Sequence, residues 1–354
     1  MSFDLTIPRS VGEPLNLSAN LGEPLFILGA NGTGKSSLMQ RLYNPHQANA
    51  RRISAHRQNW FSPNSMSLSP QQKRDFESNI RSTDTSLESR WKDDYATQRA
   101  SIAIYDIIDA ENVRARSIAG AVDGDNIDLA KILSKQDAPI KIINELLRLS
   151  NIPIEISVRE SDQVLASKCG CAPYSIAELS DGERNALLIA ATVLTAKDGT
   201  LLLIDEPERH LHRSIISPLL TLLFSKRGGC AFIVSTHDVL LPLDNPSART
   251  LLIRGCTYAG SSVSGWDVDL VPPENEIDDD LKKDILGARR KILFIEGTER
   301  SLDKPLYSLV FLNVSVVVKC GKDGQVIAEK TAAFLPSPKP CFGVKAKACS
   351  HYPT

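Results

Sequence analysis

The chain begins with short alternating stretches broken by Gly12, Pro14 and Gly22, then reaches Leu25-Phe26-Ile27-Leu28, which is apolar at every position. Leu201 to Ile204 and Ala231 to Val234 repeat that character far downstream. A strand that is apolar on both faces must be covered on both, so these runs predict central strands of a parallel sheet with helices on either side. Helical periodicity is predicted from Lys35 to about Tyr43 and from about Asp181 to Ala196, and short strands at Arg52-Ile53-Ser54-Ala55 and at Ile154 to Val158. Between about Ser69 and Ser150 the pattern changes. Six basic and six acidic residues lie between Gln71 and Arg99, followed by Ile102, Tyr105, Ile108 and Ile140, Ile143, Leu147 at helical spacing. This predicts an inserted helical subdomain, without the sustained heptads of a long coiled coil.

Pro272-Pro273 and the acidic stretch Glu274 to Asp280 mark a boundary before a second α/β segment. The expected organisation is a main domain over 1–271 carrying the insertion at about 69–150, a linker over 272–290, a partial domain over 291–335 and a disordered tail over 336–354. With 354 residues, 42% hydrophobic and 23% charged, the chain can bury a large core. A net charge of -1 supplies no whole-chain attraction to nucleic acid or anionic lipid. No apolar stretch approaches the roughly 20 residues of a membrane helix, and Met1-Ser2-Phe3-Asp4 lacks a basic leader, so a cytoplasmic protein without a membrane partner is expected. The seven cysteines are odd in number, and Cys169-Gly170-Cys171 is too tight for the usual metal knuckle, which favours incidental thiols.

The chemistry starts at Gly29-Ala30-Asn31-Gly32-Thr33-Gly34-Lys35-Ser36, followed by Ser37, between the first apolar run and a helix. Glycines let backbone N–H groups wrap phosphates, Lys35 reaches β and γ oxygens, and Ser36 offers a hydroxyl to Mg²⁺. Leu201 to Ile204 delivers Asp205 to the same metal and sets Glu206 where a carboxylate polarises attacking water. Both motifs fall at the carboxyl edge of the sheet, where open α/β folds bind ligands. Ser180-Asp181-Gly182-Glu183 opens a helix, as an anion-binding start or as an ordinary capping box. Val234-Ser235-Thr236-His237 ends an apolar strand in a histidine able to hydrogen-bond a γ-phosphate. His210 and His212 lack a third ligand nearby, which favours helix-start residues over zinc.

The order of phosphate loop, Gln58, Leu-Ser-Asp-Gly-Glu, Asp205-Glu206 and His237 resembles the ABC ATPase family over roughly residues 1–260. The resemblance implies an α/β P-loop NTPase with a helical insertion, binding ATP and Mg²⁺. Gln58 would match the glutamine that senses Mg²⁺ and attacking water. Ser180, Gly182 and Glu183 would complete the ATP site of a second copy, making the unit a head-to-tail homodimer or higher oligomer. Asp181 and Glu183 depart from the transporter form Leu-Ser-Gly-Gly-Gln, and no aromatic platform for adenine is evident. Asp205-Glu206-Pro207-Glu208-Arg209-His210-Leu211-His212 looks more like the soluble branch that includes RecF-like and overcoming-lysogenisation-defect ATPases, which act on nucleic acids or in phage defence. An effector protein and nucleic acid are therefore candidate partners.

Arg290 to Gly297, a helix-like run from Leu302 to Leu312 and Val314 to Val318 form a β-α-β pattern that resembles the first half of a Toprim domain. Glu296-Gly297-Thr298, Ser301-Leu302-Asp303 and Tyr307 carry that resemblance. The last 20 residues hold four prolines, three lysines and no acidic residue, so the Asp-x-Asp pair of complete Toprim nucleases is missing. A truncated domain with Glu296 as a relic is expected. Two other readings are a Toprim nuclease driven by ATP, and the ATP-binding subunit of a membrane transporter.

Overall fold

Alternation and full burial sort the strands into two kinds. A computed structural model of the protein describes residues 2–54, 68–159, 162–168, 170–271, 291–296, 306–307 and 314–319. The chain divides into two compact units, Met1–Ala288 and Arg289–Thr354.

In the first unit, β1 (Ser2–Ile7) and β2 (Leu15–Asn20) pair antiparallel, with Phe3, Leu5 and Ile7 turned inward. β3 (Pro24–Gly29) is buried at all six positions and leads to α1 (Lys35–Tyr43) and then β4 (Ala50–Ser54). Four helices follow: α2 (Pro70–Thr85), α3 (Ala96–Asp123), α4 (Ile127–Lys135) and α5 (Pro139–Leu149). Ser69 caps α2 in a reciprocal box with Gln72, and Pro70 and Pro139 occupy first-turn positions where no N–H is needed.

β5 (Ile154–Arg159), β6 (Gln163–Lys168) and β7 (Tyr174–Ser175) form a separate antiparallel sheet. The short strand expected at Ile154 to Val158 is thus present and lies outside the main sheet. Ile154 and Ile156 are buried while Glu155 is exposed, so this strand has one apolar face and cannot sit between two helical layers. Next come α6 (Asp181–Leu194), β8 (Leu201–Asp205), α7 (Arg213–Lys226), β9 (Ala231–Thr236), α8 (Leu240–Leu243), β10 (Arg249–Ala259) and β11 (Ser262–Val271).

The main sheet has the order β11-β10-β3-β9-β8-β4. Five strands run parallel and β11 returns antiparallel on β10. Leu25, Ile27, Leu201, Leu203 and Ile233 face a core shared with β1 and α1. Phe26, Leu202, Ile204, Phe232 and Val234 face the opposite core, built from α3, α5, α6 and α7. Among the described residues no helix is long and apolar enough to cross a membrane.

In the second unit, β12 (Lys291–Glu296) and β13 (Val314–Lys319) pair in parallel, with Glu296 in register with Lys319. Leu306 and Tyr307, from the expected helix, are helical. The expected linker 272–290 and tail 336–354 lie outside the described residues.

Phe232 is fully buried and meets Phe224 edge-on at 4.8 Å between ring centroids. Phe232→Ala is expected to cost about 3–5 kcal/mol, measured as a lower urea midpoint at unchanged slope. A loss under about 1 kcal/mol would show that this face of the sheet is not tightly packed.

Candidate functional site

β3 ends at Gly29, in register with Ile253 of β10, and a Cβ there would lie 2.6 Å from the Ile253 carbonyl oxygen. Gly32 and Gly34 have φ of 78° and 88°, values side chains resist, and they turn the loop from Ala30 through Asn31 into α1. The loop is braced from the far end of the sheet, where the Trp266 indole N–H donates to the Gly34 carbonyl at 3.1 Å. Thr33 is fully buried and its hydroxyl donates to the Ala30 carbonyl at 2.8 Å. Lys35 is 4% exposed, and its ammonium donates to the carbonyls of Gly29 at 2.9 Å and Ala30 at 3.2 Å. A buried ammonium bonded to its own loop, beside the N-terminus of a helix, fits a polyphosphate whose oxygens would take over those bonds. Ser36 follows in the first turn, and the Ser37 hydroxyl accepts from Arg90 at 3.1 Å.

Two strands away, β8 ends in Asp205, in register with Ser54 of β4 on one side and Ser235 of β9 on the other. Asp205 is 1% exposed. The Ser235 hydroxyl donates to one of its oxygens, and the Arg52 guanidinium donates to the other at 3.3 Å. Its carboxylate, with the Ser36 hydroxyl, is the hard oxygen donor set that Mg²⁺ takes alongside phosphate and water. Among the described residues no cluster of three or more His, Cys, Asp or Glu could hold a metal unaided.

Glu206 has a left-handed φ of 47°, directly before Pro207. Such a conformation costs a non-glycine residue about 1–3 kcal/mol. Bonds from the Glu206 N–H to the Ser235 carbonyl at 3.0 Å and hydroxyl at 3.2 Å hold it there. The turn sets the Glu206 carboxylate 3.5 Å from the Lys35 ammonium. Burial pushes its pKa above the ordinary carboxylate value, Lys35 opposes, and Asp205 and Glu208 add to the rise. A carboxylate moved upward in this way is a better proton acceptor than an exposed one.

His237 directly follows β9. Its Nδ1 lies 3.0 Å from Glu208, whose carboxylate also accepts from the His237 N–H at 3.0 Å and the Thr236 hydroxyl at 2.7 Å. Burial works against the Glu208 charge, but those hydrogen bonds prevail and bring its pKa below the ordinary value. The bond to Glu208 raises His237 against the opposing effect of burial. The second Glu208 oxygen is buried without a hydrogen-bond partner among the described residues.

Ser180 caps α6 in a reciprocal box with Glu183, so the capping reading of this motif describes the single chain. The Ser180 hydroxyl lies 2.8 Å from Glu183, whose other oxygen is 3.2 Å from Lys168. Burial opposes ionisation of Glu183, yet the bonds from Ser180 and Lys168 bring its pKa below the usual value. Gly182 abuts the turn after β8, where a Cβ would sit 3.0 Å from the His210 carbonyl oxygen. His212 caps α7 through Nδ1, accepting from the Ser214 N–H at 3.2 Å, which gives it a structural role. Gln58 lies outside the described residues.

The sequence reading assigned no role to Arg52, Glu208, Ser235 or Trp266. Glu208 and Ser235 flank motif residues, and that proximity was their only local signal. Arg52 and Trp266 act on partners 153 and 232 positions away, beyond the reach of any local pattern.

A six-stranded, mainly parallel sheet with a phosphate loop, a buried aspartate and a glutamate at its carboxyl edge defines a P-loop nucleotide-binding domain. The family model described as "AAA domain, putative AbiEii toxin, Type IV TA system" matches residues 43–244, and the chain belongs to this family. The match takes in the insertion, Ser180 to Glu183, Asp205, Glu206 and His237, and begins after the phosphate loop.

Among solved structures, an SmcHead bound to the C-winged helix domain of ScpA is similar at a TM-score of 0.43 and 15% identity, covering 77% of this chain and 98% of that one. A Pyrococcus furiosus Smc head domain with an extended coiled coil, bound to the C-terminal domain of ScpA, gives 0.40 and 11%, covering 77% and 96%. CbiO1 from Clostridium perfringens, part of the ABC transporter complex cbiONQ, gives 0.37 and 15%, covering 81% and 94%. Likenesses at this level carry no argument about this chain. No curated protein matches it.

The Glu208–His237 pair has a defined pH window. A lowered carboxylate contributes stability above its ordinary value of 4.5 that is lost as pH falls through the folded value. A raised histidine contributes stability below its ordinary 6.5 that is lost as pH rises through the folded value. Both contributions are complete only between those two values. Glu208→Gln should bring the His237 midpoint back toward 6.5, read from the ring-proton shifts by NMR. An unmoved midpoint would show that Glu208 does not charge the ring.

Proposed function

We propose that the protein is a Mg²⁺-dependent ATPase working as a head-to-tail pair, whose nucleotide cycle gates an effector in phage defence or DNA metabolism. The observation that carries this reading is the pairing of buried Lys35 with Glu206 at 3.5 Å, at the sheet edge that also holds Asp205. Gly29 through Ser37 hold the phosphates, with Lys35 exchanging loop carbonyls for β and γ oxygens. Ser36 and Asp205 hold Mg²⁺, which neutralises charge developing on the transferred phosphoryl group. Glu206 orients water and takes its proton, and His237, fixed through Nδ1 by Glu208, presents its other nitrogen to the γ-phosphate. Ser180, Gly182 and Glu183 of a second copy close the site, and Gln58 completes it.

The effector role is supported by the family description, which refers to toxin–antitoxin systems. The second unit is read as Toprim-like, because a parallel strand pair requires a crossover and β12 ends at Glu296.

Lys35→Ala should abolish ATP binding in equilibrium dialysis. Glu206→Gln should keep binding and slow hydrolysis by about 10²–10⁴-fold. Hydrolysis by either variant at the parent rate would overturn the assignment. Pairing has its own test. Lys35→Ala and Ser180→Arg chains, each inactive alone, should regain part of the activity when mixed, because one of their two composite sites is intact. No recovery, with both chains folded, would count against the composite site.

A further inference from the structure

The helical insertion is wired to the metal aspartate. Arg52, on edge strand β4, is 4% exposed at its side chain and reaches in two directions. One guanidinium nitrogen donates to Asp205 at 3.3 Å, and the other donates to the Ser89 hydroxyl at 3.1 Å and carbonyl at 3.2 Å. Ser89 belongs to a 3-10 turn, Leu87–Arg90, between α2 and α3. The same turn region is tied to α1, where the Gln40 amide donates to the Thr85 carbonyl at 2.7 Å and Arg90 donates to Ser37 at 3.1 Å. Behind it, Asp84 is 3% exposed and accepts from Arg99 of α3 at 2.7 Å, while Arg99 also reaches Asp93 at 3.2 Å and the Arg52 carbonyl at 3.5 Å. A continuous buried polar path thus runs from Asp205 through Arg52 into the turn and α3.

The two ends of this path respond to the same charge. Asp205 is buried and needs a compensating cation, which Arg52 supplies. A divalent cation beside Asp205 would take over that compensation and repel the guanidinium, shifting the hold of Arg52 from Asp205 toward Ser89. We propose that Arg52 is a positioning residue that couples Mg²⁺ at Asp205 to the 84–99 segment of the helical insertion, so that each sets the state of the other. The proposal rests on the ATPase reading above. Linkage makes the coupling reciprocal: a partner that moves this segment changes Mg²⁺ affinity by the same factor as Mg²⁺ changes affinity for the partner.

The test uses the whole chain, a fluorescent non-hydrolysable ATP analogue titrated with Mg²⁺, and hydrogen exchange of residues 84–99. In the parent chain, Mg²⁺ added to the nucleotide-bound protein should alter exchange across 84–99. Arg52→Met removes the competing cation and destabilises the metal-free state more than the metal-bound one. Its Mg²⁺ half-saturation should fall by about fivefold or more, and 84–99 should exchange alike with and without Mg²⁺. Ser89→Ala keeps the ion pair and the bond to the residue 89 carbonyl but removes the hydroxyl bond, so half-saturation should stay within about twofold of the parent while the exchange response is reduced. If Arg52→Met does not fold, the Ser89→Ala comparison decides alone. An unchanged or raised half-saturation in folded Arg52→Met, an exchange response that survives in that variant, or one undiminished in Ser89→Ala, overturns the coupling. A parent chain that binds no Mg²⁺-nucleotide overturns the ATPase reading itself; a parent that binds it beside an unresponsive variant overturns only the coupling.

Discussion

Asp205 is a carboxylic side chain with almost none of its surface in contact with water, and the surrounding sheet edge is organised by that fact. An isolated carboxylate in such a place would be driven to take up a proton. Instead Ser235 and Arg52 clasp its two oxygens from the flanking strands β9 and β4, Ser235 level with Asp205 in the parallel register and Arg52 reaching forward from the level of Leu203. The same Ser235 holds the backbone of Glu206 in its left-handed turn, so one hydroxyl-bearing residue sets both the buried aspartate and the neighbouring glutamate. Arrangements of this kind are rigid because each lost bond leaves a buried polar group uncompensated.

How much of this was legible in the sequence depended on whether the determining contacts were local. The doubly apolar runs at Leu25 and Leu201 announced strands covered on both faces, because covering is a property of the run itself. The phosphate loop was legible for the same reason: glycine positions, lysine and helix start lie within eight residues. Ile154 to Val158 was legible as a short strand, and the exposed Glu155 between its buried isoleucines is the alternation that separates a surface strand from a central one. Within the site, Lys35 and Asp205 could be named from motifs, whereas Arg52 could not. A strand arginine looks like solvated edge charge until the fold shows what stands at its other end.

Glu208 illustrates an intermediate case. It lies in a run of charged and histidine residues that invites a metal reading, yet it orients His237 and leaves one buried oxygen without a hydrogen-bond partner among the described residues. His212, in the same run, caps a helix. Residue type narrowed the choices, and only backbone geometry separated catalytic support from helix capping.

Trp266 and Gly34 are joined by a single hydrogen bond across 232 residues of chain. Synthesis from the N-terminus makes Gly34 232 residues before the indole that braces its loop. Until Trp266 is made the loop therefore lacks its brace, and the phosphate loop waits on a much later strand for its support. The brace is thus deferred on the ribosome until β10 and β11 have joined the sheet, so a nascent chain interrupted before them would carry the motif without its support.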